Sequence, residues 1–285
     1  MAIARAVGPW RRYEIVHESI HHYGSDATRS RNEVRLQPLP RKGIHLESFR
    51  LEVTPPAETD AQVDHFGNPT WLVSVEAPHS ELRVTARSQV SIATRSGAPL
   101  AAIPWSPARL SRNPAVEFRL PSPRVPDLPA IKALADEMGL VERDWDSLLR
   151  ANRELRLQFE YLPGSTLVSS TLQEILDLRV GVCQDFAHVL IALARHLGWP
   201  ARYVSGYLVP EAESEGYSHA WVEIGSADGS WFGLDPTHKG ETGDWHVAVA
   251  VGRDYSDVSP LRGVFVSASP GLVPEVSVRI AAVDQ

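Results

Sequence analysis

Residues 179–188 read RVGVCQDFAH and hold the only cysteine among the 285 residues, Cys183. Beyond it, apolar residues recur at the three- and four-residue spacing of one helix face until Gly198 and Pro200 end the pattern. This spacing predicts an amphipathic helix that carries Cys183 on its first turn. Unpaired backbone N–H groups and the helix dipole at that end favour a thiolate, which is a nucleophile. A lone cysteine is more often a small buried hydrophobe, so the reactive interpretation needs support from the rest of the sequence.

The composition is that of a globular protein of about two domains, with 43% hydrophobic and 22% charged residues. A single cysteine excludes an internal disulfide, and residues 1–12 lack the continuous apolar segment of a signal peptide. No stretch approaches the ~20 apolar residues that span a membrane. The net charge of −7 disfavours binding to the phosphate backbone of nucleic acids. These features predict a cytoplasmic protein that has neither nucleic acid nor membrane as a partner.

The first hundred residues predict β structure. Three segments are rich in aromatic and β-branched residues or partly alternate apolar with polar residues, and prolines and glycines interrupt them at hairpin-like intervals. The segments lie at residues 13–20, 71–75 and 81–92. We therefore expect an antiparallel β-sandwich as an N-terminal domain over residues 1–110. The adjacent His21 and His22 are not expected to bind a metal, because neighbouring residues on a strand point to opposite faces.

A proline-rich strap is predicted at residues 111–129. The chain places seven of its 22 prolines between Pro104 and Pro129, which excludes regular helix there and stiffens the backbone. Helical periodicity follows at residues 130–138 and 144–159, and Thr171 with Glu174 forms the pattern of a capping box.

Strand patterns follow the cysteine helix, at residues 202–209, 218–224, 231–234, 246–251, 264–266 and 276–283. The predicted fold class is α+β. In it, a helix that carries the nucleophile packs on an antiparallel sheet in a catalytic domain over residues 130–285.

Two stretches of this predicted sheet carry acid–base groups. His219 stands at the start of one strand, and Asp235 ends the next strand along the chain. Antiparallel pairing of the two strands would bring these ends to the same edge of the sheet. A reactive thiol needs a base, and an imidazole base needs an acceptor on its other nitrogen. The sequence therefore predicts a catalytic triad of Cys183, His219 and Asp235.

Other residues could fill some of these positions. His238 and His246 lie beside or beyond Asp235 and compete with His219 for the role of base. Asp185 is expected to be a first-turn charge that complements the helix dipole. Motifs of serine hydrolases, nucleotide-binding loops, zinc peptidases and calcium loops do not occur in the sequence, so we expect neither a cofactor nor a metal.

Three stretches resemble the core motifs of the transglutaminase-like superfamily, namely GVCQDFA at 181–187, SHAWVE at 218–223 and GLDPT at 233–237. Further stretches resemble the bacterial branch of that superfamily and the β-rich domain that precedes its catalytic core. They are RYVSGY at 202–207, VGRDYSDV at 251–258, DHFGN at 64–68 and APHS at 77–80.

The resemblance implies a papain-like core, with Cys183 as nucleophile, His219 as general base and then acid, and Asp235 as the group that orients His219. The backbone N–H of Cys183 would be one oxyanion donor, and the second donor stays open among Gln184, Tyr161 and Trp145. The superfamily includes protein cross-linkers, peptidases, amidases and inactive members. The expected function is thus acyl transfer from an amide of a peptide or protein substrate through a Cys183 thioester, to water or to an amine. The alternative is a non-catalytic module that binds a peptide in the same pocket.

Overall fold

The N-terminal part of the chain is a β-sandwich in this computed structural model, which describes residues 10–41, 43–93, 114–209, 214–215 and 217–283. Its strands are β1 (Trp10–Ala27), β2 (Arg29–Val34), β3 (Ile44–Thr54), β4 (Glu58–Val63), β5 (Pro69–Val75) and β6 (His79–Ala93). β1, β3 and β6 belong to one antiparallel sheet, and β2, β4 and β5 belong to another. Val34 and Val73 from one sheet pack with Val84 and Ala86 from the other in a shared core. The predicted antiparallel β-sandwich is thereby confirmed.

Two C-terminal strands complete these sheets. β15 (Leu261–Val266) pairs with β2, and β16 (Glu275–Val283) pairs with β1, both antiparallel. Ile280 lies opposite Ile15 and is buried with it. The sequence-based division assigned these strands to the domain at 130–285, whereas the structure pairs them with the N-terminal part. An alternating pattern predicts that a segment is a strand but does not specify its partner.

The remaining elements form the second part of the chain, which is built from helices on an antiparallel sheet. The helices are α1 (Pro129–Glu137), α2 (Trp145–Gln158), α3 (Leu172–Leu178), α4 (Cys183–His196) and α5 (Tyr255–Val258). The sheet has the order β13-β12-β11-β9-β14, with β9 (Ala201–Leu208), β11 (Tyr217–Gly225), β12 (Trp231–Asp235), β13 (Gly240–Glu241) and β14 (His246–Gly252). The short strands are β7 (Glu160–Tyr161), β8 (Val180–Gly181) and β10 (Ser214–Glu215). None of the helices in the described ranges is long and apolar enough to cross a membrane.

The central strand β11 is buried on both faces. Ala220, Val222 and Ile224 pack against the apolar side of α4. Trp221, between them in sequence, packs with Leu39 from the segment after β2. The sheet is therefore sandwiched between α4 and the N-terminal part. Its buried strands fix the positions of the side chains at their ends.

Hydrogen bonds join the two parts as well as apolar contacts. Asn68 makes a reciprocal pair with the backbone of Val251 in β14, since its Nδ2 donates to the carbonyl and its Oδ1 accepts from the N–H, both at 2.8 Å. Asp64 holds the Asn68 loop by accepting from the backbone N–H groups of Phe66 and Asn68, each at 2.9 Å. The DHFGN stretch thus forms a loop that binds the edge strand of the second sheet.

The described end of the proline-rich segment packs along α4. A 3₁₀ turn at Pro114–Arg119 replaces α-helix there, as the density of prolines predicts. Arg195 of α4 donates to the carbonyl of Phe118 at 2.9 Å and to the hydroxyl of Ser122 at 3.1 Å. The predicted strap residues 111–113 lie outside the described residues.

Candidate active site

Cys183 is the first residue of α4 and is half-buried. The turn before it is held by Asp185, whose Oδ2 accepts from the backbone N–H of Val182 at 2.8 Å and from the hydroxyl of Thr166 at 2.6 Å. Gly181 leaves the space that this carboxylate fills, because a Cβ there would lie 2.6 Å from the Cβ of Asp185. The sulfur therefore stands at the helix end where backbone N–H groups lack intrahelical partners.

Asp185 lies in the first turn of α4, where the sequence places a charge that complements the helix dipole, but its surroundings do not favour that charge. Its side chain is only 1% exposed and its Oδ1 has no hydrogen-bond partner among the described residues. Burial raises the pKa of Asp185, and the hydrogen bonds from Thr166 and Val182 only partly oppose that shift. Its structural role is to fix the backbone that leads into Cys183.

β11 and β12 bring His219 and Asp235 together. The strands pair antiparallel with Val222 opposite Leu234, as the predicted hairpin requires. His219 Nε2 lies 2.9 Å from Asp235 Oδ2, and Cys183 is close enough to His219 to raise the pKa of its ring. Because Nε2 faces the carboxylate, Nδ1 is the ring nitrogen left for the sulfur. The structure thus joins His219 to Asp235 by a hydrogen bond and places both near Cys183.

The protonation of His219 follows from these partners. Burial lowers its pKa, but the hydrogen bonds to Asp235 and Cys183 and their negative charges outweigh burial and raise the pKa of His219 to about 9. The ring is therefore an imidazolium at neutral pH. A cation at this position stabilises a thiolate, since an opposite charge favours the ionised form.

Asp235 is the most heavily hydrogen-bonded carboxylate of the site. Its Oδ2 accepts from His219, from His238 Nδ1 at 2.8 Å and from His246 Nε2 at 3.0 Å. Its Oδ1 accepts from the backbone N–H groups of Thr237 and His238. Burial raises the pKa of Asp235, but the hydrogen bonds from the three imidazoles prevail and hold it well below its usual range. The carboxylate is thus ionised although it is buried.

His238 and His246 share Asp235 with His219 and do not replace it. His246 Nδ1 accepts from the backbone N–H of Gly243 at 3.0 Å, so its Nε2 carries the hydrogen that is donated to Asp235. Burial lowers the pKa of His246, which agrees with a neutral ring. His238 stands three residues after Asp235 in a turn, a spacing that sequence could have revealed. His246 gives no such signal, because β14 is separated from β12 by two strands.

The ligand atoms of His219, Asp235 and His238 lie within 4.8 Å of one another, which is compact enough for a metal ion. Both histidines, however, approach the same carboxylate oxygen at N–H···O distances of 2.8 to 2.9 Å. A metal needs the imidazole lone pair, whereas His219 keeps its proton at neutral pH with a pKa raised to about 9. The cluster therefore fits hydrogen bonding better than metal coordination.

The three side chains considered as the second oxyanion donor lie in different surroundings. Trp145 is buried in the helical core against Trp199, with ring centroids 5.5 Å apart. Gln184 follows the nucleophile, and its side chain donates to the carbonyl of Val168 at 3.3 Å. Tyr161 is held beside the nucleophile turn by the pairing of β7 with β8, and burial followed by the charge of Cys183 raises its pKa. Tyr161 and Gln184 thus lie near Cys183, and Trp145 packs in the core.

A cavity of about 510 Å³ opens beside His219. Its lining comes from α2, from β7, from the ends of β9 and β11, and from the turn after β12. The residues are Arg156, Tyr161, Leu208, Tyr217, Ser218, His219, Thr237, His238 and Lys239. A substrate in this cavity would touch the imidazole directly.

The VGRDYSDV stretch supports the back of the site. Asp254 is fully buried, caps α5 by accepting from the N–H of Ser256, and accepts from the N–H of Arg124 in the proline-rich segment. His188 of α4 accepts from the N–H of Tyr255 at 3.2 Å, and burial lowers its pKa to about 4. His188 is therefore a neutral packing residue and not a second base.

Two known families match separate ranges of the chain. The transglutaminase-like superfamily matches residues 132–236, and the bacterial transglutaminase-like N-terminal region matches residues 13–91. The first match contains the helix with Cys183 and both strands that carry His219 and Asp235. The chain belongs to the transglutaminase-like superfamily, in the bacterial branch that carries this N-terminal region.

Individual relatives cover different shares of the chain. An uncharacterized protein of Mycobacterium leprae is 34% identical over 265 residues, which are 89% of this chain and 93% of that protein. A protein-glutamine gamma-glutamyltransferase of Pseudomonas aeruginosa is 30% identical over 123 residues, 39% of this chain and 18% of that protein. The crystal structure of a "Putative Cysteine Protease" from Cytophaga hutchinsonii superposes with a TM-score of 0.80 at 21% identity, covering 98% of this chain and 93% of that one. The fold is thus shared from the sandwich to the second sheet.

Proposed function

We propose that this protein is a cysteine-dependent acyl-transfer enzyme that acts on amide or peptide bonds through a thioester on Cys183. The observation that supports the proposal most directly is that His219 is hydrogen-bonded to the buried Asp235 and lies beside Cys183 at the start of α4. A peptide-binding module has no need of a buried acid, an imidazole and a thiol in one row. An acyl-transfer site needs all three.

The reaction follows from the protonation states. The thiolate of Cys183 attacks the amide carbon, a C–S bond forms, and the backbone N–H of Cys183 at the helix end faces the developing oxyanion. His219 donates its proton to the leaving nitrogen, the C–N bond breaks, and an amine departs. Water or an acceptor amine then attacks the thioester, His219 takes the proton, and breakage of the C–S bond regenerates the thiolate.

Asp235 acts by holding His219 in one orientation and by stabilising the imidazolium. Its ionised state depends on several N–H donors, including His246 and the backbone of Thr237. His219 is held at Nε2, so the proton that it exchanges with substrate is the one on Nδ1.

Hydrolysis and transamidation differ only in the second nucleophile. The Pseudomonas aeruginosa relative is named as a transferase, which corresponds to an amine acceptor. The name of the Cytophaga hutchinsonii protein corresponds to water. Both outcomes use the same acyl-enzyme, so the proposal covers the acylation half-reaction first.

The test is mass spectrometry of peptide products. The full-length protein is incubated with a peptide library, with and without a primary amine such as methylamine, and Cys183→Ala serves as the control. We expect cleaved, deamidated or amine-modified peptides with the wild type and none with Cys183→Ala. Tight peptide binding without any product would contradict the proposal and support the non-catalytic module instead.

A further inference from the structure

The described lining of the cavity beside His219 carries two cationic side chains, although the chain has a net charge of −7. Arg156, in the last turn of α2, and Lys239, in the turn after β12, both line it. The described residues that line it include no aspartate or glutamate. A cluster of cations in a concave site raises the local concentration of anions.

Arg156 is held in a fixed place. Its guanidinium carbon lies 5.1 Å from the centre of the Tyr161 ring and 5.7 Å from that of Phe186. Stacking on aromatic faces leaves the N–H edges of a guanidinium available to a carboxylate.

Arg156 and Lys239 differ from two other cations near this sheet in lacking a carboxylate partner among the described residues. Arg41 and Arg202 both bind the carboxylate of Glu223 at the far end of β11. In the described part of the chain, by contrast, no carboxylate forms an ion pair with Arg156 or Lys239. They are therefore suited to bind a carboxylate that comes from outside the chain.

The chemistry says which part of a substrate meets these cations. His219 donates a proton to the leaving nitrogen, so the amine part of the substrate lies against its ring. The cavity includes His219, whereas Cys183 does not line it. The cavity therefore accommodates the amine side of the amide.

We infer that the preferred substrate carries a carboxylate on the amine side of the reacting amide, bound by Arg156 and Lys239 as specificity-determining residues. The inference rests on the proposed function and adds the substrate class to it. The carboxylate can belong to an acidic side chain or to a free C-terminus. Both sources share the same chemistry.

The experiment compares peptides that differ only in the residue after the reacting bond. That residue is glutamate or glutamine, each with a free or an amidated C-terminus, so the arms separate a side-chain carboxylate from a terminal one. Product formation measured by mass spectrometry gives kcat/KM for the wild type, Arg156→Gln, Lys239→Gln and Arg153→Gln. Arg153 is the matched control, because it is exposed on the same helix and does not line the cavity.

We expect the wild type to prefer a carboxylate-bearing peptide by about tenfold or more, the range of one charge-assisted hydrogen bond. Arg156→Gln should reduce that preference by about tenfold. Lys239→Gln should reduce it by about threefold, because the side chain of Lys239 is exposed and exposed charges contribute less. Arg153→Gln should leave it within about twofold. The preference should shrink at high salt, since exposed charges are screened.

Two results would overturn the inference. They are equal kcat/KM for carboxylate and neutral peptides, and an Arg156→Gln loss that is equal for both. Absence of turnover with every peptide would instead count against the proposed function. Fluorescence anisotropy with labelled peptides then tests the inference alone. Cys183→Ala should bind the acidic peptide more tightly than the double variant Cys183→Ala/Arg156→Gln does. Equal binding by the two variants would overturn the inference.

Discussion

Two buried carboxylates flank the reacting groups, and their pKa values shift in opposite directions. Asp235, beneath His219, and Asp185, on the turn that carries Cys183, are each 1% exposed. Asp235 accepts five hydrogen bonds and has its pKa lowered. Asp185 accepts two, keeps an unpartnered Oδ1 among the described residues and has its pKa raised. Burial alone therefore does not determine whether a carboxylate is charged. The number of hydrogen-bond donors around it determines whether the effect of burial on its pKa is overcome.

The two carboxylates also give opposite pH dependences of stability. The lowered pKa of Asp235 contributes stability that is present above its unfolded value of 3.8 and is lost as the pH falls through its folded value. The raised pKa of Asp185 contributes stability that is present at low pH and is lost as the pH rises through its folded value. One group thus orients the base as an anion, whereas the other supports the nucleophile turn mainly through hydrogen bonds.

Among substitutions of the two carboxylates, Asp235→Asn should have the largest effect, because the amide that replaces the carboxylate supports the wrong imidazole tautomer. We expect kcat to fall by roughly two to three decades, the range for a misplaced general base. The thiolate absorbance of Cys183 should remain measurable, since a thiol needs less help to ionise than a hydroxyl. Turnover and ultraviolet absorbance of the variant check this, with His219→Ala expected to lose both. An Asp235→Asn variant with wild-type turnover would remove Asp235 from the mechanism.

The pH dependence tests the ionic side of the comparison. The pKa of His219 is raised from 6.5 to about 9, so its proton is held in the folded protein. The general acid is lost above that value, and kcat/KM should fall about tenfold per pH unit beyond about 9.

The stability of the folded protein should also fall as the pH rises through the pKa of His219. A raised folded pKa contributes stability that is full below about 6.5 and is lost as the pH rises through about 9. The difference between urea midpoints at pH 7 and pH 10 measures this loss of stability. The difference should be smaller in Asp235→Asn. If kcat/KM already fell as the pH rose towards 7, the imidazolium of His219 would not be the general acid.

Gly181→Ala tests the steric requirement of the other carboxylate. An added Cβ would lie 2.6 Å from the Cβ of Asp185, a distance that atoms cannot occupy without movement. Overpacking of this kind costs about 1–3 kcal/mol of stability, and we expect kcat to fall about tenfold because the nucleophile turn shifts. Chemical denaturation and turnover measure the two effects. Gly229→Ala is the control for kcat, because Gly229 has a φ of +89° and no atom within 4 Å of an added Cβ, so alanine there strains the backbone without a clash. An equal kcat for both variants would exclude a steric effect at the site.

Some of this site could be predicted from sequence because its signals are local. The capping box of Thr171 and Glu174 is present in α3, and α4 begins at Cys183. The approach of His219 to Asp235 follows from a single hairpin.

Other features depend on elements that are distant in sequence. His246 reaches Asp235 from the opposite end of the sheet order, and the burial of Asp185 requires both Gly181 and the hydroxyl of Thr166. The pairing of β16 with β1 joins the two ends of the chain. None of these has a pattern within one segment, so periodicity and motif spacing could not show them.

Asp185→Asn should have a smaller effect than Asp235→Asn although both carboxylates are equally buried. The amide oxygen can still accept from Val182 and Thr166, and a group with a raised pKa contributes less as an anion. We expect kcat within about threefold of wild type and a change in unfolding free energy of about 1 kcal/mol. Turnover and urea denaturation check both values. A loss comparable to that of Asp235→Asn would mean that the charge of Asp185 acts on the thiolate.

His238→Ala should have the smallest effect, because the imidazole of His238 is only one of the donors that keep Asp235 ionised. Its side chain is 53% exposed, and the variant retains the imidazoles of His219 and His246 and both backbone N–H donors. We expect kcat to fall by less than about threefold, since a hydrogen bond at an exposed site contributes little. His246→Ala is the buried comparison and should lose about tenfold in kcat together with stability, because it also leaves the N–H of Gly243 without its acceptor. If His238→Ala abolished turnover while His219→Ala spared it, His238 would be the base, and the pairing of β11 with β12 would not determine which imidazole reacts.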